Sequence, residues 1–151
     1  MTESIVEQPA GAFLMFPRAV WQTLGGFDER FRPIWFEDVD FCARIKAAGL
    51  RAWYEPRAMA SHTGGHSITP LSMESKEKYW YGSLLEYGAK HYRPAAFRAL
   101  CLAVMLGVGI RALRRLPRGG AGALRGYGRV ADLALSWFFR VRTKSSGVGV
   151  V

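Results

Sequence analysis

Eleven of the twelve acidic residues lie before position 93, and that asymmetry limits what the chain can fold into. Residues 1–92 carry ten Lys/Arg against eleven Asp/Glu, a net charge of −1. Residues 93–151 carry eleven Lys/Arg against Asp132 alone, a net charge of +10. The chain therefore divides into a near-neutral part and a strongly basic one. The basic part calls for an anionic partner, nucleic acid or phospholipid head groups. With 151 residues and 50% apolar content, a disordered chain is excluded. The expected arrangement is one domain plus an appendage.

Two cysteines, Cys42 and Cys101, lie far apart in unlike contexts, which fits buried free thiols in a reducing compartment better than a disulfide. Met1-Thr2-Glu3-Ser4 has neither a basic nor an apolar leader region, so the active part is expected to stay in the cytosol.

Along the first part, residues 1–10 are polar and expected to be loose. Ala12–Phe16 is a short apolar run between Gly11 and Pro17. It reads as a buried strand entered through a glycine that allows close backbone approach. Pro17 to Leu24 fits a short helix ended by Gly25-Gly26. After a loop containing Pro33, apolar residues recur at three-to-four spacing from Glu37 to Ala48, a helix with Gly49 at its C-terminal end. Asp40 and Arg44, spaced i,i+4, are expected to pair on its outer face. Leu50–Glu55 reads as a strand stopped by Pro56, and Arg57–Ser61 as a second extended segment leading to His62. Residues 63–67 form a turn-rich loop.

The second part begins after a helix over Ser75–Tyr92 that Pro94 interrupts. Ala99–Ile110 is uncharged but well short of the roughly 20 residues that span a bilayer. With Arg98 and Arg111 snorkelling at either end, a helix lying in or dipping into the interface is expected. A Gly/Arg-rich linker over 117–128, an amphipathic helix over Val130–Val141 and a disordered tail over 143–151 complete the reading.

The chemistry concentrates between Gly25 and His62. Glu37, Asp38 and Asp40 fall in the first turn of a helix, where the dipole favours anions by roughly 0.3–1 kcal/mol each. Three readings stay open for them: a solvated helix start, a general base whose neighbouring carboxylates tune its acidity, or a divalent-metal site. Trp35, Phe36 and Phe41 on both sides favour a cleft wall over a solvated face. A zinc site on His62-x-x-x-His66 is disfavoured, because no cysteine pair or second acidic ligand stands at suitable spacing.

Gly11-Ala12-Phe13, Gly25-Gly26-Phe27-Asp28-Glu29-Arg30-Phe31, Phe36-Glu37-Asp38-Val39-Asp40-Phe41-Cys42-x-Arg44, Gly49, Pro56 and His62-x-x-Gly65-x-Ser67 follow one another in an order that resembles the acceptor half of family-2 glycosyltransferases. Rhamnosyl- and galactofuranosyltransferase-like members are the nearest in pattern, and the resemblance covers roughly residues 8–92. It implies an α/β fold, a partial GT-A-like sheet with flanking helices, followed by basic amphipathic helices. The implied domains are an acceptor-side half over 1–92, a membrane-associating helical region over 93–142 and the tail.

The resemblance further implies an inverting hexosyltransferase that moves a sugar from a nucleotide-sugar donor to a lipid-linked or cell-envelope glycan. Asp38, with Glu37 beside it, takes the catalytic-base position. Gly25, Gly26, Phe27, Asp28, Trp35 and Asp40 are implied at the acceptor pocket, and His62 as a ligand of a divalent cation, Mn2+ or Mg2+. The family's nucleotide-binding half and its Asp-x-Asp motif have no counterpart here. Asp38-Val39-Asp40 sits inside the Glu-Asp motif and is not that metal motif. The donor site is thus largely missing, and the cation and turnover are expected only with a chain or segment carrying the nucleotide half. The competing expectation is a non-catalytic membrane-surface binding or scaffold module with a degenerate transferase fold. Nucleic acid is not an expected partner, since the basic charge is interleaved with long apolar runs. The expected location is the cytoplasmic side of the plasma membrane.

Overall fold

The computed structural model describes residues 2–65, 68–115 and 121–140. Their contacts divide between Leu71 and Ser72 into two compact units.

In the first unit, β1 (Ser4–Val6) pairs antiparallel with β2 (Ala52–Tyr54), Ser4 opposite Tyr54 and Val6 opposite Ala52. The first ten residues are therefore not wholly loose; pairing with the predicted second strand orders their middle. α1 (Arg18–Leu24) starts after Pro17 and ends on Gly25 and Gly26, both left-handed at φ 74° and 72°. Gly26 is needed twice over, because a Cβ there would stand 2.7 Å from the Trp21 ring.

α2 (Glu37–Ala47) carries the buried face of the unit through Asp40, Phe41, Cys42 and Ile45. Its C-terminus closes as the sequence suggests. Gly49, at φ 76°, donates to the Lys46 carbonyl and Leu50 donates to that of Ile45, the paired bonds of a Schellman motif.

Two extended segments read from the sequence are absent. Ala12–Phe16 is not a buried strand: Gly11–Phe13 forms a 3-10 turn, and beyond it only Leu14 and Phe16 turn partly inward. Met15 is 87% exposed, and no strand pairs with this run. Beyond Glu55 the backbone turns, Ala58 donating to the Glu55 carbonyl, so Arg57–Ser61 adds no strand.

The second unit is a three-helix packing of α3 (Met73–His91), α4 (Pro94–Arg115) and α5 (Ala121–Arg140). α3, placed by the sequence in the 1–92 segment, packs with α4 and α5. Ser72 caps α3, its hydroxyl accepting from the Ser75 amide at 3.2 Å. Pro94 occupies the first position of α4, where its missing N–H costs nothing. The core joins Tyr81 and Leu85 of α3, Phe97, Cys101, Val104 and Val108 of α4, and Tyr127, Val130 and Ala134 of α5. α5 begins nine residues before the predicted Val130, so residues 121–128 are helix and not linker. Tertiary packing overrides the weak helix preference of its glycines. Gly126 is buried, and a Cβ on it would lie 3.3 Å from Glu77 of α3. The predicted segments at 117–120 and 143–151, and His66 and Ser67, lie outside the described residues.

α4 is the one described helix long and apolar enough to cross a membrane by length and composition. The predicted twelve-residue uncharged run is the centre of a 22-residue helix.

Candidate functional site

The start of α2 gathers the site. Trp35 and Phe36 both adopt left-handed backbone, at φ 72° and 71°, immediately before Glu37. Bulky side chains disfavour that region at a cost on the order of 1–3 kcal/mol each. Two in succession turn the chain sharply into the helix and set the direction of its first turn. Nothing in the residue types of this pair announces the conformation.

Asp38 is held from two sides. The Gly11 amide donates to its Oδ2 at 2.8 Å, and the Val39 amide donates to its Oδ1 at 2.8 Å. Gly11 comes so close that a Cβ on it would stand 3.0 Å from the Asp38 Cβ. The close approach read from Gly11 is thus real, and its object is the candidate base. Beside it, Glu37 Oε2 is buried with no hydrogen-bond partner among the described residues. Two carboxylates, one anchored by amides and one not, stand at the positive end of a helix dipole.

Asp40 has a different place from the one expected. It is 0% exposed, and its Oδ2 accepts from Arg44 Nε at 2.8 Å. The i,i+4 pair forms, but inward. Arg44 also donates to the Leu24 carbonyl at 2.6 Å and the Gly26 carbonyl at 2.7 Å, and lies over the Phe41 ring at 5.1 Å. Those carbonyls pull the guanidinium into the unit and the carboxylate with it. Asp40 is therefore not at an acceptor surface; with Arg44 it pins the Gly25-Gly26 turn to α2.

Asp28 is likewise engaged. It caps the 3-10 turn Glu29–Phe31 through the Arg30 amide and takes the Arg30 guanidinium at 2.7–3.1 Å. Phe27 stacks edge-on to Trp21 and Phe41 at 5.2 and 5.4 Å, and Phe16 joins them at 5.0 Å from Phe41. Such pairs add about 0.5–1.5 kcal/mol each beyond their buried area. Phe27 keeps an exposed edge, and Trp35 is half-buried.

His62 is exposed and lies in irregular chain. Among the described residues no three His, Cys, Asp or Glu gather as a metal-binding group. The described residues do not make a cation centre by themselves. An open cleft of about 300 Å³ lies between α2 and the two-stranded sheet, with Cys42, Ile45 and the Lys46–Glu7 ion pair on its wall, and no candidate site residue lines it.

The chain has a distant relative among known proteins. Eighty residues, 53% of the chain, are 30% identical to the rhamnosyltransferase WbbL of Escherichia coli (strain K12). The likeness is to a glycosyltransferase. It spans 29% of that relative's length. No family model matches the chain, and no solved structure matches it significantly.

Two residues that sequence reasoning left without a site role emerge from the geometry. Gly11 anchors Asp38, and Arg44 fixes the glycine turn. The first was legible as a glycine before an apolar run. The second had only its spacing from Asp40 to mark it.

Proposed function

We propose that this chain is the acceptor-side part of an inverting glycosyltransferase of the family-2, GT-A type, with Asp38 as the general base. Asp38 takes the proton of the acceptor hydroxyl. The freed oxygen lone pair forms the bond to the anomeric carbon, and the nucleoside diphosphate departs from the opposite side with the bonding electrons. The observation that carries this reading is the Asp38 carboxylate held by the Gly11 and Val39 amides at the start of α2. A base must be aimed as well as present. The likeness to a rhamnosyltransferase supports the reaction class.

Glu37 is the neighbouring carboxylate, and Phe27, Trp35 and the Gly25-Gly26 turn are assigned to acceptor binding. The donor is a nucleotide sugar and the acceptor a lipid-linked or envelope glycan, met at the cytoplasmic membrane face. A divalent cation would offset charge on the leaving diphosphate. His62 is the one residue here assigned to it, and the remaining ligands come with the nucleotide-binding part.

The test is Asp38→Asn in an enzyme reconstituted with a nucleotide-binding half. Turnover is expected to fall about 10²–10⁴-fold; retained turnover removes the base assignment.

A second reading, a non-catalytic membrane-surface module, is favoured by the exposed apolar residues of α4. Sugar transfer by the reconstituted protein given sugar nucleotide and Mn2+ separates the two. Product formation supports the transferase, and donor binding without product supports the module.

A further inference from the structure

α4 is apolar on both of its faces. Phe97, Cys101, Val104 and Val108 enter the three-helix core. On the opposite side Ala99, Leu102, Ala103, Leu106, Ile110 and Leu113 form an unbroken stripe with no charged residue, and all are exposed. Leu106 is 67% exposed and Leu113 68%. At 100° per residue these positions fall within about 60° of one line along the helix, and from Ala99 to Leu113 the stripe runs about 21 Å. The same geometry sets the exposed Arg114 on one flank of the stripe, at about 80° from its centre, while Arg98 on the other is half-buried with its guanidinium 5.8 Å over the Phe138 ring.

We propose that this stripe is the face by which the chain lies flat on an anionic lipid surface. Leu102, Leu106, Ile110 and Leu113 enter the acyl boundary, while the exposed Arg114 reaches phosphate-bearing head groups. An apolar strip with the exposed cations Arg114 and Arg115 beside its C-terminal end matches a bilayer surface, which offers hydrocarbon below and negative charge at the level of the head groups. A second copy matches it less well. α4 carries no acidic residue, so stripe-to-stripe pairing offers its exposed arginines no acid on the helix to answer them. Crossing the membrane is disfavoured by what the helix carries behind it. Its inner face is packed on α3, whose sequence includes Lys76, Glu77, Lys78, Glu86 and Lys90, and these would follow it into hydrocarbon.

This inference deepens the membrane-face location assigned above but needs no turnover, so either can fail alone. The full chain is sedimented with vesicles of phosphatidylcholine plus phosphatidylglycerol, and with phosphatidylcholine alone. Binding is expected to the anionic vesicles, to weaken with salt, and to fall about tenfold or more in Leu102→Ser/Leu106→Ser. The substituted positions are exposed, and unchanged circular dichroism confirms that the fold survives. Environment-sensitive labels on Leu102→Cys, Leu106→Cys and Leu113→Cys are expected to report one common depth, both native thiols being buried. Graded depths overturn the flat orientation. Vesicle binding unchanged by the serine substitutions overturns the assigned face. A dimer abolished by those substitutions, without vesicle binding, overturns the lipid in favour of a second copy.

Discussion

Gly11 and Asp38 meet across 27 intervening steps of chain, and the meeting depends on a missing side chain. An alanine at position 11 would keep the N–H donor but set its Cβ 3.0 Å from that of Asp38. One of the two must yield by a few tenths of an ångström, and the anchored carboxylate is the mobile partner. Gly11→Ala is expected to lower turnover of the reconstituted enzyme, toward the roughly 10² that a displaced reacting group costs. Unfolding by denaturant should be little changed, since both residues lie at the surface of the unit. Equal losses of activity and stability would assign Gly11 to folding alone. Arg44 makes the opposite prediction. Arg44→Met removes the Arg44 guanidinium from the buried Asp40 carboxylate and frees two carbonyls, and is expected to cost about 3–5 kcal/mol in chemical denaturation. A cost under about 1 kcal/mol is what an exposed pair would give. Asp40→Asn combined with Arg44→Met should recover part of the loss.

Among elements, the sequence was most legible where one local rule decides the outcome. The three-to-four spacing from Phe36 onward and Gly49 gave α2 and its cap, because both are fixed within a turn or two of helix. Ala12–Phe16 misled because an apolar run has strand character only if another strand is there to pair with it. The start of α5 was hidden by Gly122, Gly126 and Gly128, which read as linker in sequence, although Gly126 is buried beside Glu77 of α3. The inward turn of Asp40 was hidden for the same reason: spacing identifies the pair, but the Leu24 and Gly26 carbonyls decide which way it faces. Packing also separates glycines that look alike in sequence. A Cβ on Gly88 of α3 would stand 2.6 Å from Leu100 and 3.0 Å from the buried Phe97 ring, whereas one on Gly107 of α4 meets nothing within 4 Å. Alanine gains about 1 kcal/mol over glycine within a helix, and overpacking costs about 1–3 kcal/mol. Gly88→Ala should thus destabilise or at best break even, while Gly107→Ala should stabilise by up to about 1 kcal/mol. Paired thermal melts measure the difference, and a Gly88→Ala gain as large as that of Gly107→Ala would mean that α3 and α4 are not in close contact.

At the scale of the whole molecule, the two units each hold one thiol, which gives a report on each core separately. Cys42 is on the buried face of α2 with its Sγ 3.9 Å from the Pro9 carbonyl, and Cys101 is fully enclosed in the helical core. Burial pushes both thiols up from their ordinary range, and the Asp38 charge pushes Cys42 further in the same direction. Both should therefore stay protonated and react slowly with a disulfide reagent at mildly alkaline pH, and react fully in denaturant. The sign of the linkage follows. The folded chain holds these protons more tightly than the unfolded chain, so their contribution is complete below the unfolded thiol range and is lost as pH rises beyond it. Stability measured from pH 8 to 10 is accordingly expected to fall. Replacing Cys42 with alanine should lessen the fall, apart from a pH-independent loss of packing. Because Asp38 adds to the shift at Cys42, Asp38→Asn should make Cys42 label faster while leaving Cys101 unchanged. Equal labelling of Cys42 before and after that substitution would show that the carboxylate does not reach the thiol, and that the start of α2 is oriented otherwise than described.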